Sequence, residues 1–125
     1  MRRMLTAALL GLVAACGDSS NPSGAGDLFV SYSGTGEAGA ILLTISGGPV
    51  ETATALQGQQ VSSTSPYPNS TKVVVIGEIG NGDLLRIRVP DVAAVTQYNV
   101  RADQVADKTS FALIDPSKHT FSVHK

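Results

Sequence analysis

Residues 72–89 read KVVVIGEIGNGDLLRIRV, and this stretch decides the fold. In its second half Leu85, Ile87 and Val89 fall on one side of an extended chain, Arg86 and Arg88 on the other. Successive side chains of a strand point to opposite faces, so the pattern predicts a half-buried strand over 83–89 with its arginines in solvent. The first half is the most apolar of the strand-like runs and predicts a central strand over 72–79, partly covered on both faces. Between them, Gly80-Asn81-Gly82 tolerates positive φ, which predicts a hairpin whose turn Asp83 finishes.

The same punctuation recurs on both sides, at Gly34-Thr35-Gly36, Gly47-Gly48-Pro49, Pro66-Tyr67-Pro68-Asn69, Pro90-Asp91 and Asp115-Pro116. The runs between predict strands over 28–32, 40–46, 51–56, 59–63, 98–105, 110–114 and 120–124, with 59–63 pairing back on 51–56 after Gly58. Residues 16–125 hold 18 Val and Ile against 7 Leu, with 9 Thr, and β-branched side chains suit a pleated, half-buried surface. Asp91 is placed to cap a short helical turn over 91–96, which Thr96, Tyr98, Asn99 and Val100 keep from growing. The expected fold is all-β: a single antiparallel β-sandwich of roughly eight or nine strands with at most one short helical turn. The 28 Val, Ile, Leu and Phe side chains of residues 16–125 suffice for a core without disulfide or metal.

Composition narrows the function classes. The 125 residues carry 9 Lys and Arg against 10 Asp and Glu, a formal charge of −1, which excludes a strongly basic nucleic-acid binder. Trp is absent and aromatic residues make up 5%, which argues against a Trp-rich sugar platform. A single Cys excludes an intrachain disulfide.

The position of that Cys is informative. Arg2 and Arg3 precede the eleven-residue apolar run LTAALLGLVAA at 5–15, too short to span a bilayer but the length of a signal-peptide core. Val13-Ala14-Ala15-Cys16 closes the run with small residues directly before the Cys. This segment resembles the lipobox of bacterial lipoproteins. The resemblance implies a signal peptide over 1–15, cleaved before Cys16, whose thiol carries a diacylglycerol and whose new amino terminus is acylated. It implies a membrane anchor, since several acyl chains hold firmly where one is marginal. It also implies a cell-envelope location, and Gly17 rather than Asp after the Cys points to the outer membrane where the envelope has one. Loss of the leader removes both arginines, leaving 7 basic against 10 acidic residues, a net −3. GDSSNPSGAG at 17–26 is too polar to offset its ordering entropy and reads as a flexible tether, so residues 27–125 form the expected domain.

The run LFVSY at 28–32, then GAILLTI at 39–45, KVVVIG at 72–77 and LLRIRV at 84–89 together resemble small cohesin-like modules and, more loosely, immunoglobulin-like sandwiches. Fold alone implies no activity. His119 and His124 are five residues apart, so on a regular strand they face opposite sides, a poor spacing for a shared metal. They read as solvated histidines on an edge strand. Asp91, Asp103 and Asp107 would meet only if their loops share one end of the sandwich, and no D-x-D-x-D-G run occurs. Neither Gly34-x-Gly36 nor Gly80-x-Gly82 precedes a helix, so neither cradles phosphate. Asn69-Ser70-Thr71 marks an exposed loop. The candidate partner contacts are Tyr67, in that loop, and Arg86 and Arg88, which share a face that Arg101 would extend if it lies on a neighbouring strand. No catalytic residue, cofactor or metal is expected. The expectation is a non-enzymatic interaction or structural module with a protein or polysaccharide partner. A carbohydrate-binding module using Tyr67 or Tyr98 is the alternative, and a hydrolase built on a histidine a third.

Overall fold

The alternation of apolar and polar residues is realised as nine strands in the computed structural model, which describes residues 23–125. They are β1 (Gly26–Ser33), β2 (Ala38–Ser46), β3 (Thr52–Ala55), β4 (Gln60–Tyr67), β5 (Ser70–Ile76), β6 (Gly82–Val89), β7 (Asn99–Asp107), β8 (Leu113–Ile114) and β9 (Thr120–His124). They form a four-stranded sheet in the order β3-β6-β1-β9 and a five-stranded sheet in the order β4-β5-β2-β7-β8. Every pairing is antiparallel. The protein is thus an all-β sandwich.

Strand parity builds the core. Leu28, Val30 and Tyr32 of β1 and Leu85, Ile87 and Val89 of β6 share one buried cluster with Ile41, Leu43 and Ile45 of β2, Val73 and Val75 of β5, and Val100 and Val105 of β7. Arg86 and Arg88 are exposed on the other side of β6, as the alternation predicts. Register shifts adjust the parity, and two of them leave an extra residue on β6 and on β7. The β1–β6 register shifts between Val30 and Ser31, leaving Leu84 as an extra residue, and Leu84 is buried beside Leu85. The β2–β7 register shifts between Leu42 and Leu43, leaving Asp103 as the extra residue. Such bulges re-aim side chains without ending the ladder.

The connections differ from the expected ones. Gly80-Asn81-Gly82 closes no hairpin: β5 pairs with β2 and β4, whereas β6 pairs with β1 and β3 in the other sheet. Both edges of β5 are occupied, so the chain leaves at Gly77 (φ +138), whose N–H donates to Gly39 O at 2.8 Å, and crosses to the opposite sheet. Ile79 is buried within that crossing. Likewise β3 and β4 are not partners but lie in different sheets. Gln57 and Gln59 brace the two crossings together. Gln57 Nε2 donates to Gly80 O at 2.9 Å, and Gln59 Nε2 donates to Glu78 O at 2.7 Å. The tight hairpin is β4–β5, closed where Tyr67 pairs Ser70.

The pole at the start of β1 is pinned by Asp91. Its Oδ1 accepts from Ala93 N at 3.0 Å, capping the 3-10 helix Val92–Gln97, and from Gly24 N at 3.0 Å. Val92 N in turn donates to Gly24 O at 2.9 Å. At the same pole Gly47 has φ +99, and a Cβ there would lie 1.8 Å from Gln97 O, so only glycine fits. A second, three-residue 3-10 turn, Pro116–Lys118, leads into β9. Among the described residues no helix is long and apolar enough to cross a membrane.

Parity makes a direct prediction. Leu43→Ala removes a fully buried side chain and should cost about 2–5 kcal/mol in urea unfolding. Arg86→Ala, on the solvent side of the neighbouring sheet, should stay within about 0.5 kcal/mol.

Candidate functional site

The outer face of the five-stranded sheet divides into an apolar and a polar half. Register places Ala40 and Leu42 of β2 beside Ile76 and Val74 of β5, and Ala106 of β7 beside Leu113 of β8. Ile76 and Leu113 are exposed, as is Phe111 in the β7–β8 loop. Phe111 is the sole non-glycine residue with positive φ among the described residues, at +60°. That conformation is costly for an aromatic side chain. It is held by the Phe111 N–H donating to Asp107 O at 3.0 Å. Shallow grooves run along this half, one lined by Gly39, Ile76, Gly77, Glu78, Lys108 and Phe111. Sequence reading missed the patch, because the alternation of β2 and β5 does not say whether the outward side is covered.

In the polar half, Thr44 Oγ1 and Lys72 Nζ both donate to Asp103 Oδ2, the lysine at 3.0 Å, and Arg101 Nε donates to Asp103 Oδ1 at 3.0 Å. Burial opposes ionisation of Asp103, but these hydrogen bonds outweigh it and hold the carboxyl at about 2. Every oxygen of the carboxylate is thus engaged. Asp103 does not join Asp91 or Asp107: Asp91 caps the 3-10 helix near the start of β7, and Asp107, at the far end of that strand, accepts from Thr109 N and Ser110 N. Among the described residues no group of three or more His, Cys, Asp or Glu is arranged to hold a metal ion.

The two histidines have different surroundings. His119 is not solvated; it is 4% exposed, at the end of the 3-10 turn, and its Nδ1 meets Tyr32 Oη at 2.5 Å, with the two rings stacked. Gly34 seals this pair, since a Cβ there would lie 2.0 Å from Tyr32 Oη and 2.7 Å from His119 Nδ1. Burial lowers the His119 pKa, while Glu37 and Asp115 pull the other way, and burial raises that of Tyr32. His124 is exposed on the edge strand β9, as expected, and stacks on Phe29. Its Nε2 bonds Asp83 Oδ1 at 2.8 Å, which raises its pKa. Ser31 Oγ donates to that same Oδ1 at 2.5 Å. A nucleophile relay needs the imidazole between hydroxyl and carboxylate; here the carboxylate lies between them. Asp83 therefore joins β1, β6 and β9 rather than finishing a turn.

The expected contact residues are dispersed. Tyr67 is 70% exposed at the end of β4, at the pole where Gly47 N donates to Asn69 O. Tyr98 is 7% exposed and donates to Pro49 O at 2.6 Å. Arg86 and Arg88 lie on the four-stranded sheet and Arg101 on the five-stranded sheet, so the three form no common patch. Arg88 is moreover 3.7 Å from Asp27, a surface pair of small energetic weight. Cys16 lies outside the described residues. Compared with protein-family models, curated proteins and solved structures, the chain matches none.

The histidines predict opposite pH effects. The folded state holds His119 below its ordinary value of 6.5, so the unfolded chain takes up that proton first as pH falls. The urea midpoint of the native protein, relative to His119→Gln, should therefore be highest above pH 6.5 and fall as pH drops through the lowered pKa. For His124, raised in the fold, the midpoint difference against His124→Gln should be largest below pH 6.5 and fade as pH rises through the raised pKa.

Proposed function

We propose that this chain is a lipid-anchored lipoprotein of the bacterial cell envelope whose sandwich, cohesin-like or immunoglobulin-like in type, is a non-enzymatic interaction or structural module. The observation that carries the reading is the Cys16 directly after Val13-Ala14-Ala15 and an eleven-residue apolar run, followed by the Gly- and Ser-rich stretch that leads into β1. The geometry of the domain is in keeping with it. Gly24 is fixed to Asp91 at one pole, whereas Ile76 and Phe111 lie near the ends of β5 and β7 that form the opposite pole. A lipid on Cys16 would leave the apolar half of the outer sheet face at the end remote from the entry point. Where an outer membrane exists, Gly17 after the Cys favours that destination.

The engaged state of both histidines supports the non-enzymatic reading over a hydrolase. Carbohydrate binding retains one supporting feature, the exposed Tyr67, and loses Tyr98, which is buried against Pro49. The arginines, lacking Arg101, offer no concentrated charge for an anionic polymer.

Replacing Cys16 by Ser should abolish incorporation of labelled fatty acid and release the protein from the membrane fraction. A labelled, membrane-bound Cys16→Ser protein would refute the anchor. For the module, Leu113→Ser should reduce recovery of an envelope protein or polysaccharide across several salt concentrations, while leaving the urea midpoint unchanged because Leu113 is exposed.

A further inference from the structure

The four sheet edges are not equally protected. Among them β3 has four residues and β8 two, both too short to template a neighbour. The edge strand β9 has five residues and carries His124 beside Lys125. The remaining edge, β4, is eight residues long, with seven of them exposed. Among the described residues its one ladder partner is β5, and no strand lies beside the other side of its backbone. An exposed edge of that length is ordinarily blunted by charge. Here no Asp, Glu, Lys, Arg or His occurs from residue 52 to residue 71. The devices present are Pro66 and the register irregularity between Thr64 and Tyr67, and both sit at one end. The stretch from Gln60 to Thr64 is regular, extended and uncharged.

We propose that β4 is a self-association edge, on which β4 of a second copy of this chain pairs antiparallel to join two five-stranded sheets into one. Three features select a second copy. A twofold axis across an edge makes the two strands antiparallel and closes the assembly at a dimer. The absence of charge means that identical residues meet without repulsion, which a strand bearing several lysines or glutamates would not allow. Third, Val61 at this edge faces the core opposite Val75 but is only partly buried there, so a neighbouring strand covers apolar surface as well as backbone. Pairing that uses the whole regular stretch centres on Ser62. It sets Ser62 opposite its own copy, Val61 opposite Ser63 and Gln60 opposite Thr64. The proposal goes beyond the anchored-module reading and holds whether or not Cys16 carries lipid.

Register makes it testable. In a Cys16→Ser background a thiol introduced by Ser62→Cys is the sole thiol, and directly opposed Cβ atoms lie about 4.5–5.5 Å apart, so a shift of roughly 1 Å brings them into disulfide range. Mild oxidation should give a disulfide-linked dimer in several-fold greater yield than Thr54→Cys, which is exposed on the other sheet. Gln60→Cys alone should cross-link poorly, its copy being displaced by four residues or about 13 Å. Mixing Gln60→Cys with Thr64→Cys should restore the dimer. Adding Ser63→Lys to Ser62→Cys should cut the yield several-fold. The proposal is overturned if Ser62→Cys cross-links no better than Thr54→Cys, or if Gln60→Cys alone cross-links as well as Ser62→Cys.

Discussion

The parity of β2 is the constraint on which the rest of the sandwich depends. This strand pairs on both sides, with β5 and with β7, and it sends Ile41, Leu43 and Ile45 into the core. A slip of one residue would exchange those three for Ala40, Leu42 and Thr44, putting an alanine and a threonine where two isoleucines fill the core. The register of β5 and β7 follows from it, and so does the composition of the outer face. Ala40 and Leu42 set its apolar half, and Thr44 founds the polar half that gathers Lys72 and Asp103. The outer surface and the core are thus fixed by the same alternation.

Among the described residues the three buried polar ones, Thr44, Thr71 and His119, are each given a partner. Thr71 meets Ser65 at 2.8 Å, Thr44 donates to Asp103, and His119 is matched by Tyr32. Leaving such a group unpaired costs more than the bond itself contributes, so the partners are as necessary as the apolar contacts. The bulge at Asp103 shows how the accounting is met. An extra residue on β7 places a carboxylate over Thr44 that a regular ladder would have turned elsewhere. Among the described residues Gln59 Oε1 is the buried side-chain atom left without a partner, at the crossing where Gln57 and Gln59 bind the loops.

What the sequence made legible follows the range of the interaction. The alternation of β6, the cap by Asp91 and the strand at 120–124 depend on neighbours in the chain and read directly. The connections did not, because Gly80-Asn81-Gly82 offers the same backbone freedom to a hairpin and to a crossing between sheets. The choice rests on β2 and β4 already occupying both edges of β5. Burial of His119 depends on Tyr32, 87 residues away, and no local pattern reports it. Leu84 and Asp103 were illegible as bulge residues for the same reason: a bulge is defined by the partner strand. The arginines read correctly as solvent-facing and incorrectly as a possible trio, since facing solvent does not say on which sheet. Cys16 is the converse case, a residue whose meaning lies entirely in its local motif.

Antiparallel pairing of β4 carries a geometric consequence for an anchored protein. Gln60 sits opposite Ile76 and Tyr67 opposite Ser70, so β4 runs from the remote pole towards the pole where Gly24 is pinned. In the joined sheet the two entry poles therefore point in opposite directions, Tyr67 of one copy lying ten residues of strand, about 33 Å, from Tyr67 of the other. The eight residues 16–23 span at most about 29 Å when fully extended. Two copies on one membrane can then pair only with their strands lying along the surface, whereas copies on facing membranes can pair with strands upright. If Cys16 carries lipid, the length of the short polar stretch thus also restricts how two domains meet. Confinement to a surface raises their effective concentration, so an edge that pairs weakly in solution gains from being anchored, provided the strands lie flat.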